Sequence, residues 1–140
     1  LMIRVANERH STIADANAQL TVLRPTVTAE GIRMRRLHDL KLVRDNQPVF
    51  RISWSLMHVI DETSPLAGVD AREMERGEAN IVVTVSGLDE SSGQIMHARR
   101  GYAHDALRWG HRYVDIIGAD ANGRTLIDYT RFHDSTAEAP

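Results

Sequence analysis

Apolar and polar residues alternate strictly between Ala14 and Val22. Ala14, Ala16, Ala18, Leu20 and Val22 are interleaved with Asp15, Asn17, Gln19 and Thr21. A period of two predicts a strand with one apolar and one polar face. Helical spacing would scatter the same apolar positions around the axis. Arg24-Pro25 is expected to end this ladder, because proline cannot donate to it. Glu30-Gly31 is turn chemistry. From Ile32 to Arg44 the alternation is imperfect, and Arg35-Arg36 break its phase as a bulge would. Phe50, Ile52 and Trp54 share a face, and Met57-His58-Val59-Ile60 follows.

One short helix is predicted. Asp70 can cap it, Glu73 follows three residues later, Met74 would face inward, and Gly77 suits its C-terminal end. Ile81–Val85 is a continuous apolar run of the kind found in strands covered on both faces. Ala106–Trp109 reads as one helical turn. Tyr113–Ile117 and Thr125–Tyr129 flank Asn122-Gly123, a signal for a type I′ hairpin. Ser135–Pro140 reads as a frayed tail. Many short strands with one minor helix predict an all-β sandwich or barrel.

Length and composition narrow the classes. A chain of 140 residues is one ordinary domain with room for a core. It has no cysteine, which removes disulfide and thiolate-metal chemistry. The formal net charge of -2 offers no basic stripe for nucleic acid. No apolar run reaches the roughly 18 residues of a membrane span. Opening on Leu1 rather than methionine, the chain reads as a soluble fragment of a longer protein.

Few residues in the sequence point to chemistry. His97, His104 and His111 lie seven apart, which suits no standard metal-ligand spacing. His104-Asp105 and His133-Asp134 are adjacent pairs, and neighbours on a strand point to opposite faces. No phosphate loop, dinucleotide fingerprint or nucleophile elbow occurs. Asp61-Glu62 reads as a solvated loop. Arg33, Arg35 and Arg36, with Arg44 nearby, read first as a charged edge guarding against aggregation. Contact with anionic lipid or a partner is the alternative for that patch.

Two segments carry a resemblance. Gly87–Tyr113 reads GLDESSGQIMHARRGYAHDALRWGHRY, and Ile127–His133 reads IDYTRFH. With Leu1–Asn7, with His58–Leu66, and with Met34-Arg35-Arg36 and Asp39–Leu42, they form ordered blocks over nearly the whole chain. These blocks resemble the cytoplasmic C-terminal domain of inward-rectifier potassium channels, the prokaryotic branch in particular. The resemblance implies an immunoglobulin-like β-sandwich with one short helix, spanning 1–140 as a single regulatory domain. It implies a homotetramer around a water-filled vestibule at the cytoplasmic face of the bacterial inner membrane. It also implies gating by anionic lipid, and it carries the label of a voltage-gated channel. No enzyme activity, cofactor, metal site or nucleic-acid partner is implied. Potassium would permeate, and magnesium or a polyamine would bind weakly in the vestibule.

Site residues follow from the same resemblance. Asp15 falls where the family places a vestibule-lining acid, and Ser86 falls where it places a second one. Leu88 and Gly93 fall at the narrowest part of a pore loop running from about Leu88 to Ala98. Glu90 and Arg99 fall where an ion pair braces that loop. Leu1–Asn7 resembles a strand after a membrane linker, His58–Leu66 an outer subunit contact, and Ile127–His133 the last core strand. Arg9 and His10 fall near a membrane-facing, lipid-sensing surface. A free-standing β-sandwich that binds a ligand or protein is the alternative reading.

Overall fold

A computed structural model describes residues 1–127 and 129–137. The described residues are mostly strand, and the chain divides into two compact units, Leu1–Leu107 and the remainder. The first unit holds β1 (Met2–Ala6), β2 (Ile13–Val27), β3 (Arg33–Leu40), β4 (Asn46–Phe50) and β5 (Ser53–Met57). After these come α1 (Ala71–Arg76), β6 (Asn80–Asp89) and β7 (Gln94–Ala103).

The alternation from Ala14 to Val22 lies within β2, the longest strand. Ala16, Ala18, Leu20 and Val22 are buried while Asp15, Asn17 and Gln19 are exposed. β2 pairs with β6 along one side; β4 and then β3 share its other side, all antiparallel. β7 closes the sheet beyond β6. β1 and β5 form a second, two-stranded sheet that places Ile3, Trp54 and Leu56 in one cluster with Leu20, Val22, Ile81 and Val83. Two apolar faces meeting in this way make an all-β, sandwich-like fold. Phe50 and Trp54 meet edge to face at 5.9 Å within it.

Several expectations change on contact with the register. Pro25 does not end β2, which continues to Val27 with Pro25 opposite Arg35. β6 pairing stops at Leu23, so Pro25 has a neighbour on one side only, a position where its missing N–H is tolerated. Arg35-Arg36 are not a bulge; β3 pairs with β2 residue for residue from Arg33 to Leu40. The bulge lies instead in β2, between Ala14 and Asn17. Ile81–Val85 is buried on one face only, with Val82 and Thr84 half-buried.

The helix forms as predicted. The Asp70 side chain accepts from the Glu73 amide at 2.9 Å, and Met74 is buried. Gly77 caps it in a right-handed conformation, and Glu78 takes the positive φ of +48°. A Cβ on Gly77 would sit tightly, 3.0 Å from the Pro25 ring.

The second unit holds β8 (His111–Tyr113), β9 (Ile117–Ala119), β10 (Thr125–Ile127) and β11 (Ser135–Ala137). β9 and β10 pair across the expected Asn122-Gly123 segment, but the first arm is Ile117–Ala119 rather than Tyr113–Ile117, and the five-residue loop is not a type I′ turn. Gly123 has φ +78° while Asn122 does not join it in the positive region, and Asp120 Oδ1 accepts from the amides of Asn122 and Arg124. The helical turn expected at Ala106–Trp109 forms earlier, as a 3-10 turn at His104–Ala106. Ile127–His133 is not one strand: Tyr129–Arg131 is a 3-10 turn, and Asp128 lies outside the described residues. Ser135–Ala137, expected to fray, pairs with β8; the rest of that tail also lies outside the described residues.

The bulge gives a sharp test of the packing. A Cβ on Gly87 would sit 2.5 Å from Ile13 Cγ2 and 3.1 Å from both Ala14 O and Ala16 Cα. Gly87→Ala should therefore cost roughly 1–3 kcal/mol in urea unfolding. Gly101→Ala on neighbouring β7 meets open space and should stay within about 0.5 kcal/mol of the parent. Equal effects from the two would remove the bulge contact as a constraint.

Candidate functional site

Asp15 is the extra residue of the β2 bulge. Ala14 pairs with Leu88 and Asn17 with Ser86, leaving Asp15 and Ala16 to span the distance opposite Gly87. The extra residue turns the chain, and Asp15 takes φ +48°, a conformation that aspartate tolerates better than most side chains. Its carboxylate is exposed, and its carbonyl accepts from Asn17 Nδ2 at 2.9 Å. The structure thus brings Asp15, Ser86 and Leu88 to one end of the β2–β6 ladder.

β6 and β7 form one long hairpin whose turn is Glu90–Gly93. Gly93 takes φ +71° and its amide donates to the Asp89 carbonyl at 2.8 Å, so a side chain there would be strained. Leu88 and Ile95 are directly opposed next to the turn, and they are 39% and 70% exposed. Ile95 was not singled out by its sequence position, because nothing local marks an isoleucine as exposed.

The anchor of this tip is Asp89, at 3% exposure. Its Oδ1 accepts from Ser11 Oγ at 2.7 Å, from Ser91 Oγ at 2.9 Å and from the Ser91 amide at 3.0 Å. Arg9 Nη1 donates to Oδ2 in an ion pair. The Ser11 hydroxyl, then the Ser91 hydroxyl and amide, with Arg9, outweigh burial and hold the carboxyl well below the usual carboxylate range. Asn7 prepares the same connection: Nδ2 donates to Ser11 O and Phe50 O, and Oδ1 accepts from the Arg9 amide. Glu90 N adds a bond to Thr12 O at 3.1 Å. The loop between β1 and β2 is thereby fastened to the hairpin tip.

Arg9 and His10 stand at this junction. With Ser11, Asp89 and Ser91 they line an open depression of about 430 Å³. The lipid-facing pair and the pore-loop residues of the sequence reading are therefore neighbours in space. Asp89 and Ser11, which join them, went unpredicted; the local signal was Asp89-x-Ser91, a side chain bonding to the backbone two residues on.

The Glu90–Arg99 brace is not formed. Asp89 pairs with Gln94, so the turn centres between Ser91 and Ser92, and Arg99 lies opposite Thr84. Five residues of strand, roughly 17 Å, separate the level of Gln94 from Arg99. A nine-residue spacing would meet across a hairpin centred three residues later. Asp89 with Arg9 takes the bracing role instead.

A second buried polar contact secures the loop after β5. His58 Nδ1 lies 2.7 Å from Lys41 O, which can only accept, so that nitrogen carries the proton. Nε2 then accepts from Ser64 Oγ at 2.6 Å, and Ser64 Oγ accepts from the Leu66 amide. Both side chains are buried, so this serine–histidine pair fixes the loop rather than presenting a nucleophile. Asp61 and Glu62 beside it are exposed, and the Thr63 hydroxyl and amide lower the Asp61 pKa.

Comparison with known proteins places these features in a family. The profile described as "Inward rectifier potassium channel C-terminal domain" matches residues 1–140. The chain is 36% identical over 134 residues to the inward rectifier potassium channel Kirbac3.1 of Paramagnetospirillum magnetotacticum, covering 96% of this chain and 45% of that protein. It is 33% identical over 144 residues to the mouse ATP-sensitive inward rectifier potassium channel 12, covering 100% of this chain and 33% of that one. The chain thus spans less than half the length of these relatives. The matching family is a channel domain and not an enzyme, and it lends no support to the voltage-gated label.

The Asp89 cluster predicts a signed pH dependence. A carboxyl depressed on folding contributes stability that is complete above its ordinary value of 3.8 and is lost as pH falls below it. Asp89→Asn should lower Tm at pH 7, and the gap to the parent should narrow as pH drops below about 4. A gap that is constant from pH 7 to pH 3 in a thermal-melt series would show that the charge plays no part.

Proposed function

Because the chain belongs to the inward rectifier potassium channel C-terminal domain family, we propose that it forms one quarter of a vestibule below a potassium-conducting pore. The observation that carries this reading is the bulge that presents Asp15 beside Ser86 and Leu88. One exposed carboxylate per chain becomes four around a four-fold axis. Such a ring concentrates potassium and offers magnesium or a polyamine a weak site. Ser86 adds no second charge, so block by these cations rests on a single ring. The domain would stand at the cytoplasmic face of the membrane that holds the pore.

The exposed Leu88–Ile95 pair beside the Gly93 turn would supply the apolar narrowing of that vestibule. Arg9 and His10 would face anionic lipid. Their attachment to the hairpin through Ser11 and Asp89 offers a stiff route by which a lipid contact shifts the narrowing as a rigid body. Lipid would act only by binding one position of that body better than the other.

The test uses the full-length channel. Asp15→Asn should weaken block of outward current by internal magnesium or spermine severalfold, with single-channel selectivity for potassium unchanged. Unaltered block would place Asp15 away from the ion path.

A further inference from the structure

At the opposite end of β2 the surface is basic. An open depression of about 360 Å³ is lined by Arg24, Pro25, Arg33, Glu73, Arg76 and Gly77. Arg33 and Arg76 flank one glutamate here, in a chain whose formal net charge is -2, while the Arg24 side chain, cross-strand from Arg36, leaves on the other face of the hairpin. Two separate elements supply it: the β2–β3 hairpin, turned at Gly31 with φ +81°, and the end of α1. Gly77 lets the helix end approach the Pro25 ring, so the two arms are fixed relative to each other.

The hydrogen bonding leaves part of this charge uncommitted. Arg35 Nη1 and Nη2 donate to Gly77 O at 3.0 Å and Glu78 O at 2.8 Å, which occupies carbonyls at the end of α1 that would repel an anion. Arg24 Nη1 donates to Pro65 O at 3.0 Å. The Arg33 and Arg76 guanidinium groups make no hydrogen bond or ion pair with any described residue. Glu73 is paired with neither; the ion pairs among the described residues are Arg9–Asp89 and Arg131–Asp134.

We infer that this depression is a binding site for a phosphate-bearing anion. Guanidinium forks from two elements match the several oxygens of a phosphoryl group, each able to accept paired N–H donors. The volume lies within the range of small-ligand sites. Glu73 at the rim opposes the anion and sets an upper limit on its affinity. The phosphate could belong to a soluble molecule or to a lipid headgroup, since both present the same oxygens.

Calorimetric titration of the chain with pyrophosphate at low ionic strength tests it. Saturable binding is expected, weakened about tenfold by Arg33→Ala or Arg76→Ala, the loss of one charged hydrogen-bonding partner. Glu73→Gln should tighten it. Arg36→Ala removes the same charge from the opposite face of β3 and should leave it unchanged. Co-sedimentation with phosphatidylcholine vesicles containing phosphatidylglycerol separates the sources. Pelleting that depends on Arg33 and Arg76 without pyrophosphate binding assigns the phosphate to lipid. Loss equal to that of Arg36→Ala, or no dependence on Arg33 and Arg76 in either arm, overturns the site and leaves these arginines as guards of the sheet edge. Circular dichroism checks each variant's fold, and Arg33→Gln and Arg76→Gln stand in for any alanine variant that fails it.

Discussion

The close approach of two backbones at Gly87 is the constraint from which the rest of the site follows. β2 carries an extra residue at Asp15, and the bulge pushes Ala14 O and Ala16 Cα against β6. Only a residue without a side chain fits beneath it. Because Gly87 is there, β2 can bulge without leaving the sheet. Because β2 bulges, Ala14 and Ala16 keep their places and Asp15 is turned out to solvent. The same contact lies one residue before Leu88, which opposes Ile95 in the hairpin that turns at Glu90–Gly93.

Asp89 converts that geometry into a mechanical unit. A buried carboxylate is tolerated only when its oxygens are filled, and here two serines, one amide and one guanidinium fill them. All four donors come from outside the strand that carries Asp89, since Ser11 and Arg9 lie before β2 and Ser91 lies in the turn. The hairpin tip and the β1–β2 loop cannot separate without exposing an ionised group to a poor environment. A neutral brace of the same shape would resist that separation less.

Legibility in the sequence followed the range of the interaction. Strict alternation displayed the faces of β2, and Asp70 with Glu73 displayed the start of α1, because both signals are local. The pattern slips at Arg35-Arg36, yet the bulge lies at Asp15, where the pattern looks perfect. A bulge inserts one residue without disturbing an alanine-rich alternation whose small side chains are buried or half-buried either way. Pro25 misled because edge position depends on where β6 ends, a fact of another segment. Glu90 and Arg99 misled because a spacing of nine says nothing about where a hairpin turns. The family blocks singled out Asp15, Ser86 and Leu88 from separate parts of the sequence, and the register shows them to be neighbours. Asp89 stayed hidden because its partners lie about eighty residues away.

The two charged regions of the first unit lie at opposite ends of one strand. Ten residues of β2 separate Asp15 from Pro25, roughly 33 Å of extended chain. Screening in physiological salt acts over about 8 Å, so a cation near Asp15 and an anion near Arg33 would scarcely feel each other's field. Any influence between them must travel through the sheet. β2 is suited to that, since it is paired on both sides over much of its length and its buried face is packed into the core. Its weakest point is the segment past Leu23, where β6 has ended and only β3 remains alongside. An anion that ties the β2–β3 hairpin to the end of α1 would stiffen that segment and no other. The Asp15 end needs no such help, because Gly87 and Asp89 already hold it.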